Sequence, residues 1–391
     1  MLPRHFTEEQ TLFRSAYRRF LAEEVVPHME RFRDQGIVDR AIFQKAGEQG
    51  FLMVWPDEAY GGMGDYDIRW EQVIIEELAY ARASDWFGSL HSRIVGPYIT
   101  RFGSKEQQDR YMPAAVKGDV ILAIAMTEPD AGSNLAGMRT TAVEEGDYWR
   151  INGQKTYISN GINCDLVIVA AKTDPQNNPH AMTLFLVESG FEGFERGRNL
   201  KKLGLKAQDT AELFFNDCKV PKANVLGEVH KGFYYLMEGL AEERLLGAIG
   251  YLAGAQLSWD LTAQFVKERE VFGKPLAHMQ NTQFKMAELR TELDICQTFI
   301  DQCTLAFNRG ELSAADAAKA KLKTSELQQQ VADEGLQLHG GAGFMDEYPI
   351  SRQCADAKIA TIYAGSSEIM KLIIGRDCLG DDYSPFNTRN F

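Results

Sequence analysis

Apolar positions return every three or four residues through the first and last parts of the chain and alternate with polar ones between them. That pattern predicts helices, then strands, then helices. In "TEEQTLFRSAYRRFLAEEVVPHMERF" a Thr7 cap and acids in the first turn precede the helical spacing. "DIRWEQVIIEELAYARAS" and "KEQQDRYMPAAVKG" continue it, while "PDEAYGGMGDYD" reads as a glycine-rich surface loop. Near Val120 the period falls to two. "TTAVEEGDYWRINGQKTYISNG" predicts a hairpin turning at Asn152-Gly153, followed by short strands in "DLVIVAAKTD", "AMTLFLVES" and "AELFFNDCKVP". Helical spacing resumes at Lys231 and predicts helices over 233–270, 276–308, 314–339 and 365–379, which would form an antiparallel bundle. The expected class is α+β multidomain: a helical domain over 1–121, a barrel-like β domain over 122–230 and a helical bundle domain over 231–391. A helical chain interrupted by a β unit places a ligand at the junction.

Composition removes several alternatives. A chain of 391 residues can bury a large core in two or three domains. Its 55 acidic and 42 basic residues give a net charge of −13 with no basic cluster, which argues against nucleic acid as a partner. The longest aliphatic runs, such as "LVIVAA" at 166–171, are too short for membrane insertion. "MLPRHFTEEQ" lacks the basic-then-apolar pattern of a secretory leader. The cytoplasm is therefore the expected location, and a mature mitochondrial matrix protein would read the same way. The six cysteines show no C-x-x-C and the histidines no H-x-x-x-H, so no metal site is expected. Cys296 and Cys303 share one helical face, as buried reduced thiols would.

Three small-residue segments are candidate ligand seats. "LHGGAGF" (338–344) follows a helical pattern rather than a strand, so a dinucleotide fingerprint fails and a helix terminator fits. "FGKPL" (272–276) lacks the spacing of a phosphate loop. "AMTEPDAGSNLAG" (125–137) lies where helices give way to strands, and offers small residues whose amides could face a phosphate; a polar loop is the competing reading.

Together these segments resemble the acyl-CoA dehydrogenases, flavoenzymes that desaturate acyl thioesters at the α and β carbons. "AMTEPDAGSN" and "QLHGGAGFMDEYPISRQCAD" resemble the family's two signatures; "RINGQKTYISNG", "LGLKAQDTAELFF", "REVFGKPL" and "IYAGSSEIMKLIIGR" follow the family's order. "GFYYLMEGLAEERLLGA" is most similar to long-chain and isovaleryl-type (branched-chain) members. The resemblance implies FAD between the middle and C-terminal domains, an acyl-CoA substrate, an electron transfer flavoprotein as acceptor, and a homotetramer. By position it implies that Met126, Thr127 and Ser133 border the flavin and pyrophosphate, that Tyr157 and Ser159 flank the ring, and that Ser366 and Glu368 contact the flavin. Arg269, Phe272, Gln280, Gln337, Gly340 and Gly341 would hold the adenine nucleotide half, partly across a subunit interface. Substrate contacts are implied for Ser133, Tyr234, Arg244, Ala364 and Gly365, with a core aromatic as the competing role of Tyr234.

The chemistry needs a carboxylate against the acidic α C–H and donors on the thioester carbonyl. Many family members carry that glutamate where this chain has Ala364. Glu243 in "LAEERLLGA" lies on a helical face with Leu236, Leu240, Gly247 and Gly250, whereas Glu242 faces about 100° away. On these residues alone a solvated glutamate competes with a base. Long-chain and isovaleryl-type members carry the base on this helix directly before an arginine, as in Glu243-Arg244, and the resemblance therefore implies Glu243. The resemblance also exposes departures. Asn134 and Asp130 replace the signature's aspartate and glycine. Arg93 in "LHSRIVGPY" reads as a surface residue, or as a pocket residue that would disfavour a plain long alkyl tail. An oxidase and an inactive flavin-binding assembly subunit are the alternative functions.

Overall fold

The computed structural model describes residues 4–383 except 175, 177 and 179. The outer ends of the first and last expected domains, 1–3 and 384–391, lie outside the described residues. Thr7 closes a capping box with Gln10 and starts α1, Glu8–Phe20. The expected single helix breaks after it: a π-helical turn, Leu21–Val25, and a tight turn carrying Pro27 lead into α2, Met29–Gln35. Helices α3 (Arg40–Glu48), α4 (Arg69–Tyr80), α5 (Gly96–Phe102) and α6 (Lys105–Val116) complete the first part.

Strands β1 (Leu122–Ala125), β2 (Thr141–Glu145), β3 (Tyr148–Ser159), β4 (Leu166–Lys172), β5 (Met182–Glu188), β6 (Phe194–Asn199), β7 (Thr210–Pro221) and β8 (Val225–Leu226) form one sheet. Its order is β6-β7-β3-β2-β4-β5-β8, with β1 parallel to β4. Strand β4 is apolar at successive positions because both its faces are covered. Leu166, Ile168 and Ala170 pack with Val95, Tyr98 and Met112 of the first helical part, while Val167, Val169 and Ala171 enter the core on the other face with Trp149 and Phe215.

The hairpin expected at Asn152-Gly153 turns elsewhere. Glu145 pairs with Tyr148, so the turn is Gly146-Asp147, with Gly146 at φ +58°. Asn152-Gly153 sits inside β3 at an irregularity in its register with β7. Asn152 Oδ1 accepts from the Asp217 amide, and a Cβ at Gly153 would overlap Thr140 at 2.4 Å. The dipeptide serves a bulge and a close backbone approach, which share the turn's composition.

Helix α7, Gly232–Glu268, is followed by a short hairpin of β9 (Glu270–Val271) and β10 (Lys274–Pro275), then α8 (Gln280–Asn308) and α9 (Ala314–His339). Residues 276–279, expected to begin α8, precede it. Helices α10 (Pro349–Ala357), unforeseen, and α11 (Ser367–Leu379) close the chain. Leu245, Ala248, Ile249 and Leu252 of α7 pack with Leu289, Leu293 and Cys296 of α8 and with Leu327 and Val331 of α9. Cys296 and Cys303 are buried there as free thiols, whereas Cys378 is exposed. Leu236 of α7 belongs instead to the core shared by β4, β5 and α5. That placement brings the start of α7 against α5.

Candidate active site

Glu243 is turned into the contact between α7 and α5, with only 8% of its surface exposed. The Tyr98 hydroxyl of α5 donates to Glu243 Oε1 at 2.9 Å. Burial raises the Glu243 carboxyl to about 7, and Glu242 adds to the rise; the Tyr98 hydrogen bond, Arg244 and Arg101 oppose it. Gly239 makes the approach possible, since a Cβ there would meet the Tyr98 hydroxyl at 2.7 Å and Glu243 Oε1 at 3.2 Å. A small cavity of about 10 Å³ is bounded by Glu243, Tyr98, Gly239, Ile94 and Phe102, and also by Arg93, Arg101 and Glu242.

Glu242 is engaged differently. Arg93 Nε donates to its Oε1 at 2.6 Å, and Arg101 donates to its Oε2. Arg93 is 2% exposed, so the surface reading of this residue is overturned. Its guanidinium lies 4.3 Å from the Tyr66 ring centre and donates to the Tyr66 carbonyl. Both of Glu242's oxygens are thus occupied, whereas Glu243 keeps one oxygen without a hydrogen-bond partner among the described residues.

The turn before α11 reaches the same helix. Tyr363 packs against Tyr251 of α7, ring centres 6.0 Å apart. Tyr251 follows Glu243 by eight residues, roughly 12 Å along the axis. Ala364 and Gly365 both take left-handed backbone, at φ +53° and +91°. The Ser366 hydroxyl caps α11, and the buried Ser367 Oγ has no partner. Arg244, also buried, has an unpartnered Nε, and its charge acts on Lys321 of α9, whose Nζ donates to the Gly365 carbonyl.

On the sheet, the Thr156 amide donates to the Thr127 carbonyl and Lys155 Nζ donates to the Met126 carbonyl, which sets Met126, Thr127 and Tyr157 side by side. Lys155 also pairs with buried Glu128 at 2.8 Å, and Glu128 Oε1 accepts from the Thr140 amide, so the "AMTEPDAGSN" loop is built around an ion pair. Tyr157 is exposed at φ +60°, Ser159 is half-buried and Ser133 is exposed. Tyr234 is 63% exposed, which overturns its reading as a core aromatic.

The residues expected at the adenine half gather at the far end of the bundle. Phe265 stacks on His339 with ring centres 4.0 Å apart, joining the end of α7 to the end of α9. Arg269, Phe272, Gln280, Gln337, Gly340 and Gly341 are all exposed around this joint. From Lys321 to Gln337 is roughly 24 Å along α9. The turn before α11 and this exposed cluster therefore stand apart within one chain. FAD, a long group with a planar and a charged end, fits what these residues leave open. Ser367 Oγ and Arg244 Nε are orphaned at one place, and the Cβ positions of Gly340 and Gly341 face open space at the other. Phe272, 98% exposed, has an uncovered ring beside them.

Tyr98, Lys321 and the Glu128–Lys155 pair were missed by sequence reasoning. Tyr98 lies 145 residues from Glu243, and no spacing rule connects them. A lysine inside the alanine-rich run "AAKAKLK" offers a weak signal for a buried ammonium.

Family models match the chain over most of its length: acyl-CoA dehydrogenase N-terminal domain at 7–119, middle domain at 123–218 and C-terminal domain at 230–379. The chain is 45% identical over 380 residues to a protein of Sus scrofa named long-chain specific acyl-CoA dehydrogenase, mitochondrial, covering 97% of this chain and 88% of the relative. It is 37% identical over 377 residues to isovaleryl-CoA dehydrogenase, mitochondrial, of Pongo abelii, covering 95% and 88%. The crystal structure of an acyl-CoA dehydrogenase from Geobacillus kaustophilus superposes with a TM-score of 0.94 at 47% identity, covering 97% of this chain and all of that one.

Proposed function

The chain belongs to the acyl-CoA dehydrogenase family, and from that premise we propose that Glu243 is the base that removes the substrate's α-proton. The family's reaction oxidises a CH–CH bond of an acyl-CoA thioester and depends on FAD. Bound FAD supplies the acceptor for the β-hydride. We assign its contacts to Met126, Thr127, Ser133, Tyr157, Ser159, Ser366 and Glu368 at the flavin end, and to Arg269, Phe272, Gln280, Gln337, Gly340 and Gly341 at the adenine end. The proposed domain boundaries fall at 121/122 and 230/231.

One observation carries the reading: Glu243 is buried against a cavity with its carboxyl raised to about 7, while its neighbour Glu242 is held by two arginines. A base near neutrality combines sufficient ionisation with sufficient basicity. The α C–H bond breaks as its proton passes to the free Glu243 oxygen, and the Ala364 amide donates to the thioester carbonyl as negative charge grows there. Arg244 supports the ionised carboxylate, and Ser133, Tyr234 and Gly365 border the thioester and its CoA arm. The test is Glu243→Gln: the variant should load FAD and bind acyl-CoA, yet show no bleaching of the flavin on anaerobic mixing. Bleaching at a near-normal rate would remove Glu243 from the role.

For the acyl group we propose a branched or shorter chain, because Arg93, Arg101 and Glu242 line the cavity that also receives Glu243, and an alkyl tail gains little against an ion cluster. A long chain is the second reading, favoured by the identity to the long-chain relative. The ratio of kcat/KM for octanoyl-CoA over palmitoyl-CoA separates them, with about tenfold or more expected for the first. The proposed electron acceptor is an electron transfer flavoprotein, and the proposed assembly a homotetramer. Among the described residues no helix is long and apolar enough to cross a membrane. We place the enzyme in the cytoplasm, with the mitochondrial matrix as the alternative.

A further inference from the structure

Ala364 holds a backbone conformation that a side chain bearing a Cβ disfavours, and Gly365 continues it. Such a conformation persists when its surroundings over-determine it. Two contacts do so here. The Tyr363 ring, next to Ala364 in the chain, packs on Tyr251. Lys321, a fully buried side chain of α9, donates to the Gly365 carbonyl at 2.5 Å. Burial and repulsion from Arg244 lower this ammonium to about 8; Glu368 and Glu326 act against the fall, yet neither is salt-bridged to it among the described residues. An ammonium placed in such surroundings, with a backbone carbonyl as its acceptor, marks a position where a directed charge-assisted hydrogen bond is needed.

We propose that Lys321 is a positioning residue for the reaction: by holding the Gly365 carbonyl it fixes the left-handed turn, and so aims the Ala364 N–H at the thioester oxygen. It touches neither substrate nor reacting atoms. The inference rests on the reading that this amide meets the thioester carbonyl, and the test separates the two. An aryl-acryloyl-CoA thioester, whose absorption moves to the red when its carbonyl is polarised, is titrated into flavin-loaded enzyme. This readout requires no proton abstraction and does not depend on Glu243.

Wild-type enzyme should shift the band; an unshifted band on bound thioester would sink the underlying reading. Lys321→Met should lose at least about half of the shift and about tenfold in kcat with KM little changed, since a donor is displaced rather than deleted. Lys321→Arg should retain most of the shift. Adding Ala364→Gly to Lys321→Met should recover part of it, because glycine takes the left-handed conformation without a clamp. A wild-type shift in flavin-loaded Lys321→Met overturns the proposal. If that variant fails to load flavin, Lys321→Gln, a shorter neutral donor, decides the matter: an intermediate shift supports the proposal and an undiminished one overturns it.

Discussion

Glu243 and Glu242 are adjacent in sequence and opposite in circumstance. Glu242 sits between two guanidinium groups, while Glu243 meets a tyrosine hydroxyl, a glycine and a cavity. The groups that set Glu243's ionisation are Tyr98 and Arg101 from α5, with Glu242 and Arg244 from its own helix. An ionised base is required, so kcat/KM should rise with pH through about 7. The Tyr98 hydrogen bond favours the charged form. Tyr98→Phe should therefore move this limb to higher pH, by about one unit. A pH–rate profile of the variant that overlays the wild type would show that Tyr98 leaves the base untouched. That Glu243 would be buried was legible because its helical face is apolar. Its partner was not, because hydrogen bonds between distant segments leave no periodic trace.

Helices α5 and α7 meet through charges as well as through Tyr98. Among the described residues Arg93, with a side chain 1% exposed, is salt-bridged to Glu242 alone, whereas Glu242 is salt-bridged to both Arg93 and Arg101. Removing Glu242 leaves a buried guanidinium without its carboxylate; removing Arg93 leaves Glu242 still paired with Arg101. Glu242→Met should accordingly destabilise the protein by about 3 kcal/mol, in the range found for broken buried pairs. Arg93→Met should destabilise it less. Thermal unfolding of both flavin-loaded variants gives the ranking, and equal midpoints would deny the asymmetry. Helix positions were read well where an apolar stripe and a cap coincided, as at Thr7 and α1. Arg93 was read poorly, because a lone arginine in an apolar run looks the same whether it reaches water or an internal carboxylate. Asn152-Gly153 was misplaced for a related reason: a turn and a bulge ask for the same residues.

Across the whole chain, the turn before α11 and the exposed cluster proposed for the adenine end lie at different ends of α9, separated by roughly 24 Å along the helix. Phe272, Phe344 and Phe284 are left exposed at 98%, 79% and 57%. If one FAD draws on two chains, flavin retention and assembly should fail together. Light scattering and flavin absorbance, followed during mild urea titration, should fall in parallel. A monomer that keeps stoichiometric FAD would contradict the shared site. The sequence by itself determined the order of helical and β segments and the family, because each is written in local period or in contiguous motifs. The tertiary structure decided which glutamate is held by arginines, what Arg93 touches, and which lysine grips the turn. Those outcomes depend on desolvation and on contacts between segments far apart in the chain, quantities that exist only once the chain has folded.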